Sequence, residues 1–198
     1  MTIHRIGEAI NNMTSRHRGI DAGSAFCWLY RAWAFGDAER KIDPLGPRAR
    51  IVEVGNGGLH SLGYLLDVAP PGWEIIAVDP YVGRGRFAGM IETAHTKLGD
   101  VIDRVKFLRW PSPQVCALID YDSCDAVLID GDHDYEPVLA DLNAWLPRVK
   151  PGGYLCGDDV DPMFPGCERA WDEFFPAGGL TVYGSTAVAR RPLPSGAV

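Results

Sequence analysis

Three aspartates and a histidine in the second half of the chain have the types and spacing of a reaction centre. Asp130 closes the apolar run Asp125 to Ile129, and Asp158-Asp159 close the shorter run Tyr154-Leu155-Cys156-Gly157. If these runs are parallel strands of one sheet, their tips open onto the same carboxyl edge, where open α/β folds bind ligands. Three carboxylates meeting without a counter-ion repel and raise one another's pKa. A hard divalent cation such as Mg²⁺ removes that repulsion, because it takes oxygen ligands and keeps positions open for water or substrate. His133 follows Asp130 by one short turn, and an imidazole with an ordinary pKa of about 6.5 suits a base at neutral pH. Each feature also has a plainer reading. Asp158-Asp159 would cap the segment that follows, and His133 would bond to Asp132 or Asp134 or simply line a pocket.

A second constellation lies in the first half. Glu53-Val54-Gly55-Asn56-Gly57-Gly58 ends an apolar strand in a glycine turn, where the backbone can take positive φ and a ligand can approach the main chain. The helix that follows offers unpaired N–H groups and the positive end of its dipole. Asp79, at the tip of the next strand, would stand beside this turn, and its carboxylate can accept both hydroxyls of a ribose. As a plainer alternative it caps a helix or holds a turn. Dinucleotides and S-adenosylmethionine both fit such a site. Counting from Gly55 gives Gly57 and then His60, so the G-x-G-x-x-G dinucleotide fingerprint fails. Glu53, two residues before the first glycine, is awkward beside a pyrophosphate and well suited to a cationic amino-acid moiety, which favours the sulfonium cofactor.

The elements that must position these groups alternate between strand and helix patterns, implying successive β–α units and a mainly parallel sheet. Strands are expected at Arg50–Val54, Glu74–Val78, Val105–Leu108, Asp125–Ile129 and Tyr154–Gly157. Helices are expected over roughly Ser61 to Val68, Ile91 to Leu98 and Glu168 to Phe175. Leu139, Leu142, Trp145, Leu146 and Val149 fall at helical spacing, with Pro137 tolerated in the first turn. Pro151-Gly152-Gly153 reads as a turn. Leu180–Tyr183 and Thr186–Arg190 form a hairpin around Gly184-Ser185. The aromatic residues Phe26, Trp28, Tyr30, Trp33 and Phe35 read either as a lid over the acceptor or as helix packing or a dimer contact.

With 198 residues, 46% hydrophobic and 23% charged, the chain has the composition of one globular domain. No apolar run approaches a bilayer span, and no secretory signal opens the sequence. Five cysteines without a C-x-x-C pair imply small hydrophobes in a reducing cytoplasm rather than a disulfide framework or zinc ribbon. The net charge of −7 disfavours a nucleic-acid partner despite Arg84-Gly85-Arg86 and Arg190-Arg191. A small-molecule partner is expected.

Over roughly Ile51 to Arg191 the sequence resembles the class I methyltransferases. Glu53-Val54-Gly55-Asn56-Gly57 looks like their first motif and Val78-Asp79-Pro80 like their acidic second one. Ile129-Asp130-Gly131-Asp132-His133-Asp134-Tyr135-Glu136, with Ala140-Asp141-Leu142 and Lys150-Pro151-Gly152-Gly153, is similar to the small-molecule O-methyltransferases of the branch containing cephalosporin- and macrolide-tailoring enzymes. The resemblance implies a Rossmann-like seven-stranded sheet of order 3-2-1-4-5-7-6 with helices on both faces. It implies one domain over 1–198: an N-terminal helical cap or oligomer segment (1–45), a core (46–191) and a tail (192–198). It implies S-adenosylmethionine bound by Glu53, Gly55, Asn56, Gly57, Asp79 and Asp130, with an adenine pocket near Trp110, Pro111 and Ser112. Trp110 reads equally as a packing residue. Leu59 stands in place of the third glycine of the fuller first motif.

The acids also resemble those of the catechol- and caffeoyl-coenzyme-A-type methyltransferases, which implies Asp130, Asp158 and Asp159 as ligands of Mg²⁺. Asp159 replaces their asparagine, and His133 stands at the offset of their lysine base. The expected activity is metal-assisted O-methylation of a small hydroxylated acceptor in secondary metabolism, such as a sugar, polyketide or phenol. Rival readings are a metal-independent methyltransferase, an NAD-type oxidoreductase and a cofactor-binding protein without turnover.

Overall fold

A computed structural model of the chain describes residues 26–57, 59–81, 94–175 and 178–194. His4, His17, Gly58, Arg84-Gly85-Arg86, the start of the helix expected from Ile91 and most of the expected N-terminal helical segment lie outside the described residues. Among those described, the order is α1 (Cys27–Phe35), β1 (Arg50–Val54), α2 (His60–Val68), β2 (Glu74–Val78), α3 (Ala94–Leu98), β3 (Val105–Leu108) and α4 (Ser112–Val115). There follow β4 (Cys124–Ile129), α5 (Tyr135–Trp145), β5 (Val149–Gly157), α6 (Pro165–Phe174), β6 (Leu180–Tyr183) and β7 (Thr186–Arg190).

The strands form one seven-stranded sheet of order β3-β2-β1-β4-β5-β7-β6, parallel from β3 to β5, with β7 antiparallel to both β5 and β6. The central strands read as continuous apolar runs because both faces are covered. Ile51, Ile75, Ala77, Ala126, Leu128, Tyr154 and Cys156 point into the layer shared with α1 and α2. Their neighbours Val52, Val54, Ile76, Val78, Val127, Ile129 and Leu155 point into the layer shared with α5 and α6. Trp33, Trp145 and Trp171 are fully buried, and truncating any of them to Ala would cost about 3–5 kcal/mol.

The aromatic stripe of the first segment resolves as packing: Phe26, Tyr30 and Trp33 are buried against α2 and the sheet, while Phe35 is exposed. No helix among the described residues is long and apolar enough to cross a membrane. Three local expectations need correction. Pro151-Gly152-Gly153 belongs to β5, where the pairing with β4 shifts register between Cys124 and Ala126. Gly152 has φ +80°, and a Cβ on Gly153 would come within 2.7 Å of the Asp125 carbonyl oxygen, so both glycines serve a strand irregularity. Val149 is likewise a strand residue: α5 stops at Trp145, and a 3₁₀ turn carrying Pro147, which has no N–H to continue the helix, leads into β5. Finally, α6 begins at Pro165, ahead of the expected Glu168, because proline's fixed φ suits a first helical position.

Candidate active site

The tips of β1, β2, β4 and β5 converge on the glycine turn. The Gly55 N–H donates to the Val78 carbonyl at 2.8 Å, and the Asp130 N–H donates to the Val54 carbonyl at 2.8 Å. Gly55 has φ +86°, and a Cβ there would lie 2.0 Å from the Asp130 carbonyl oxygen. Only glycine fits. Leu59 adopts φ +62° immediately before α2, so the position where the fuller motif has glycine keeps the glycine conformation at a cost of about 1–2 kcal/mol.

Asp79 stands beside this turn. Its Oδ2 accepts the Asn56 and Gly57 N–H groups at 3.1 Å each, and Oδ1 accepts the Tyr81 N–H at 2.6 Å. A carboxylate has about four acceptor positions, which leaves room for a hydroxyl. Glu53 is fully buried. Ser61 donates to its Oε1, while Tyr30 and Asn56 lie against the carboxylate without completing a hydrogen bond to Oε2. Burial, tempered by these hydroxyl and amide neighbours, pushes the Glu53 pKa up to about 7. Glu53 Oε2, Asn56 Nδ2 and the Tyr30 hydroxyl are all buried without a partner, a set able to pair with an ammonium and a carboxylate. The Tyr81 hydroxyl donates to Asn56 Oδ1 at 3.2 Å and closes the far side of the turn.

After β3, Trp110 is exposed beside an open groove of about 380 Å³ lined by Phe107, Leu108, Gln114, Val115 and Leu118. Ser112 is buried, and its hydroxyl accepts the Trp145 Nε1–H at 2.6 Å and meets the Asp141 carboxyl group. Burial raises the Asp141 pKa to about 6. Ser112 therefore holds the loop to α5 with its side chain.

On the other side of the turn, ligand atoms of Asp130, His133 and Asp159 all lie within 4.8 Å of one another. His133 Nε2 is 2.7 Å from Asp159 Oδ2, and its ring stacks on Phe164 with centroids 4.5 Å apart. Asp132 does not bond to His133; it accepts the Asp134 N–H at 2.9 Å. Asp158 stands outside this group and accepts the Ser185 hydroxyl at 2.9 Å. Neither Asp158 nor Asp159 caps α6, whose preceding residue is Phe164. Burial first, then the charges of Asp158, Glu53 and Asp159, hold the Asp130 carboxyl well above the usual carboxylate range. Burial likewise raises Asp158.

Sequence reasoning missed Ser61, Tyr81, Phe164 and Ser185 as members of the site. Ser61 is the second residue of the helix after the glycines, and Phe164 precedes a Pro-Gly helix start, so both had local signals. Tyr81 and Ser185 follow turns whose directions only the fold sets.

Residues 52–160 match a family model described as a methyltransferase domain. An O-methyltransferase from Bacillus cereus, solved in complex with SAH, superposes with TM-score 0.59 at 16% identity, covering 96% of this chain and 92% of that one. A TDP-rhamnose 3'-O-methyltransferase of calicheamicin biosynthesis gives TM-score 0.59 at 18% identity, covering 93% of this chain and 86% of that one. At such identities these likenesses carry the fold. An uncharacterized protein of Acanthamoeba polyphaga mimivirus is 49% identical over 35 residues, which are 18% of this chain and span 16% of that relative's length.

Proposed function

We propose, from the premise that this chain belongs to the methyltransferase-domain family, that it is an S-adenosylmethionine-dependent O-methyltransferase acting on a small hydroxylated acceptor with the help of a divalent cation. The observation that carries this reading is Asp79 bonded to the main chain of the glycine turn, which is itself wedged against the strand tip bearing Asp130. When bound, S-adenosylmethionine supplies an activated methyl group on a sulfonium centre. Asp79 would accept the ribose hydroxyls, and Glu53 and Asn56 would pair with the amino-acid end, where buried polar atoms stand unpartnered. Trp110 and the loop held by Ser112 would border the adenine. The exposed Trp110 indole suits a stacking partner.

Asp130 and Asp159 bring together oxygen donors of the kind Mg²⁺ prefers, and Asp158, which accepts the Ser185 hydroxyl, would complete the set only by turning toward them. When bound there, the cation would supply Lewis acidity to the acceptor hydroxyl. His133 would take the proton released from that hydroxyl. A sugar, polyketide or phenol of secondary metabolism fits an acceptor class defined only by a reactive hydroxyl.

One observation favours a metal-independent version of the same reaction: Asp159 already pairs with His133. The cofactor assignment is tested by calorimetric titration of S-adenosylmethionine. The wild-type chain is expected to bind, and Asp79→Ala is expected to weaken binding about 100-fold through loss of charge-assisted bonds worth about 2–3 kcal/mol. A wild-type chain that does not bind would reject the reading.

A further inference from the structure

We propose that Tyr81 is a positioning residue of the cofactor site, holding the Asn56 side chain so that Nδ2 is free to donate to the carboxylate at the amino-acid end of S-adenosylmethionine. The inference rests on the cofactor reading proposed above and says how the fold sets one of its donors. Asn56 stands in the glycine turn after β1, Tyr81 follows the tip of β2, and both are buried. Three residues close a ring of hydrogen bonds there. The Tyr81 hydroxyl donates to Asn56 Oδ1 at 3.2 Å, the Asn56 N–H donates to Asp79 Oδ2 at 3.1 Å, and the Tyr81 N–H donates to Asp79 Oδ1 at 2.6 Å. One residue thus ties the carboxylate assigned to the ribose to the amide assigned to the amino-acid end.

A side-chain amide offers an acceptor on one side and donors on the other, and Tyr81 takes the acceptor. With Oδ1 engaged, Nδ2 is left on the side where Asn56 lies against Glu53, buried and without a partner. A buried N–H₂ lacking an acceptor carries a standing cost that a ligand oxygen removes, and a carboxylate makes the stronger, charge-assisted bond. Glu53 Oε2, unpartnered beside it, offers the matching acceptor for the ammonium of the same amino-acid end. Tyr81 is itself fixed. Its φ is +50°, a left-handed conformation that a bulky residue keeps only where its surroundings dictate it, and its ring meets Phe107 edge to face with centroids 6.1 Å apart. Removing the hydroxyl alone would leave the ring packed and the N–H bonded to Asp79. The Asn56 amide would then be released while the carboxylate assigned to the ribose stayed in place.

The test is calorimetric titration of the full chain with two probes: S-adenosylhomocysteine, which carries the amino-acid end, and 5′-methylthioadenosine, which lacks it. Tyr81→Phe is expected to bind S-adenosylhomocysteine about 5- to 10-fold more weakly than wild type and 5′-methylthioadenosine equally well. A side chain that merely supported the fold would weaken both probes alike. Asn56→Ala is expected to show the same selective loss, and adding Tyr81→Phe to it is expected to weaken binding no further, because the two residues act as one unit. Equal weakening of both probes in Tyr81→Phe, no weakening of either, or a full additional loss in the double variant would overturn the proposal. A wild-type chain that binds neither probe would remove the cofactor reading and this inference with it. A wild type that binds both, with Tyr81→Phe indistinguishable from it, would remove the role of Tyr81 alone.

Discussion

Replacing Glu53 by Gln changes one oxygen to an amide and removes a titration from the centre of the protein. The carboxyl is fully buried, and its pKa is raised from the ordinary 4.5 to about 7. The folded state therefore holds this proton more tightly than the unfolded chain. Its stabilising contribution is complete below pH 4.5, is lost as pH rises toward 7, and stays lost above that. At about 1.4 kcal/mol for each factor of ten in proton affinity, the loss amounts to about 3 kcal/mol. Gln has a carbonyl oxygen to accept the Ser61 hydroxyl and no proton to lose. Urea unfolding of both proteins across this range is the assay. The stability of Glu53→Gln relative to wild type is expected to climb by about 3 kcal/mol from the acid to the neutral side of the window. Asp141 also has a raised pKa, but it is present in both proteins and cancels in the difference. Parallel pH profiles for the two proteins would refute the reasoning and mean that Glu53 binds its proton no more tightly in its pocket than in the unfolded chain.

Two further outcomes follow from the same edge of the sheet. Gly55→Ala, with its methyl 2.0 Å from the Asp130 carbonyl and a φ of +86°, is expected to lose about 3 kcal/mol and about 10 °C in melting temperature; unchanged melting would mean the turn is not wedged. Mn²⁺, followed by its electron paramagnetic resonance signal, is expected to bind the wild-type chain, to be displaced by Mg²⁺ and to bind Asp130→Asn at least about 10-fold more weakly. Absence of Mn²⁺ binding by the wild type would favour the metal-independent version of the reaction.

The sheet was legible because its strands announce themselves as continuous apolar runs, each closed by a polar tip, and parallel neighbours bring such tips to one edge. That is why Asp79 could be set beside Gly55 from the sequence, and the bonds to Asn56 and Gly57 follow that placement. The finer wiring was not legible. Which of two adjacent aspartates faces His133 depends on the left-handed turn at Asp159, and a sequence gives little warning of a positive φ outside glycine. Ser112 offered a hydroxyl to the expected adenine pocket, yet the fold brings Trp145 and Asp141 to it from a helix 30 residues downstream. Pro151-Gly152-Gly153 has turn composition, but pairing on both sides keeps it in β5. In each case tertiary contacts decided between local conformations that composition leaves nearly equal.

The Tyr183 hydroxyl donates to the Arg40 carbonyl across a sequence separation of 143 residues, and the Trp28 and Tyr183 rings meet edge to face. Asp43 reaches the Tyr154 hydroxyl across 111 residues. The first described helix packs on α2, but the segment that follows it, and the Trp28 edge, find their partners only when the last strands exist. On the ribosome, Leu29, Tyr30 and Trp33 can meet α2 early, whereas Trp28, Arg40 and Asp43 must wait until β5 and the final hairpin have followed. Completion of the fold is consequently a late event, and a nascent chain interrupted before its final hairpin would leave the Trp28 edge open to chaperones and to other unfinished copies.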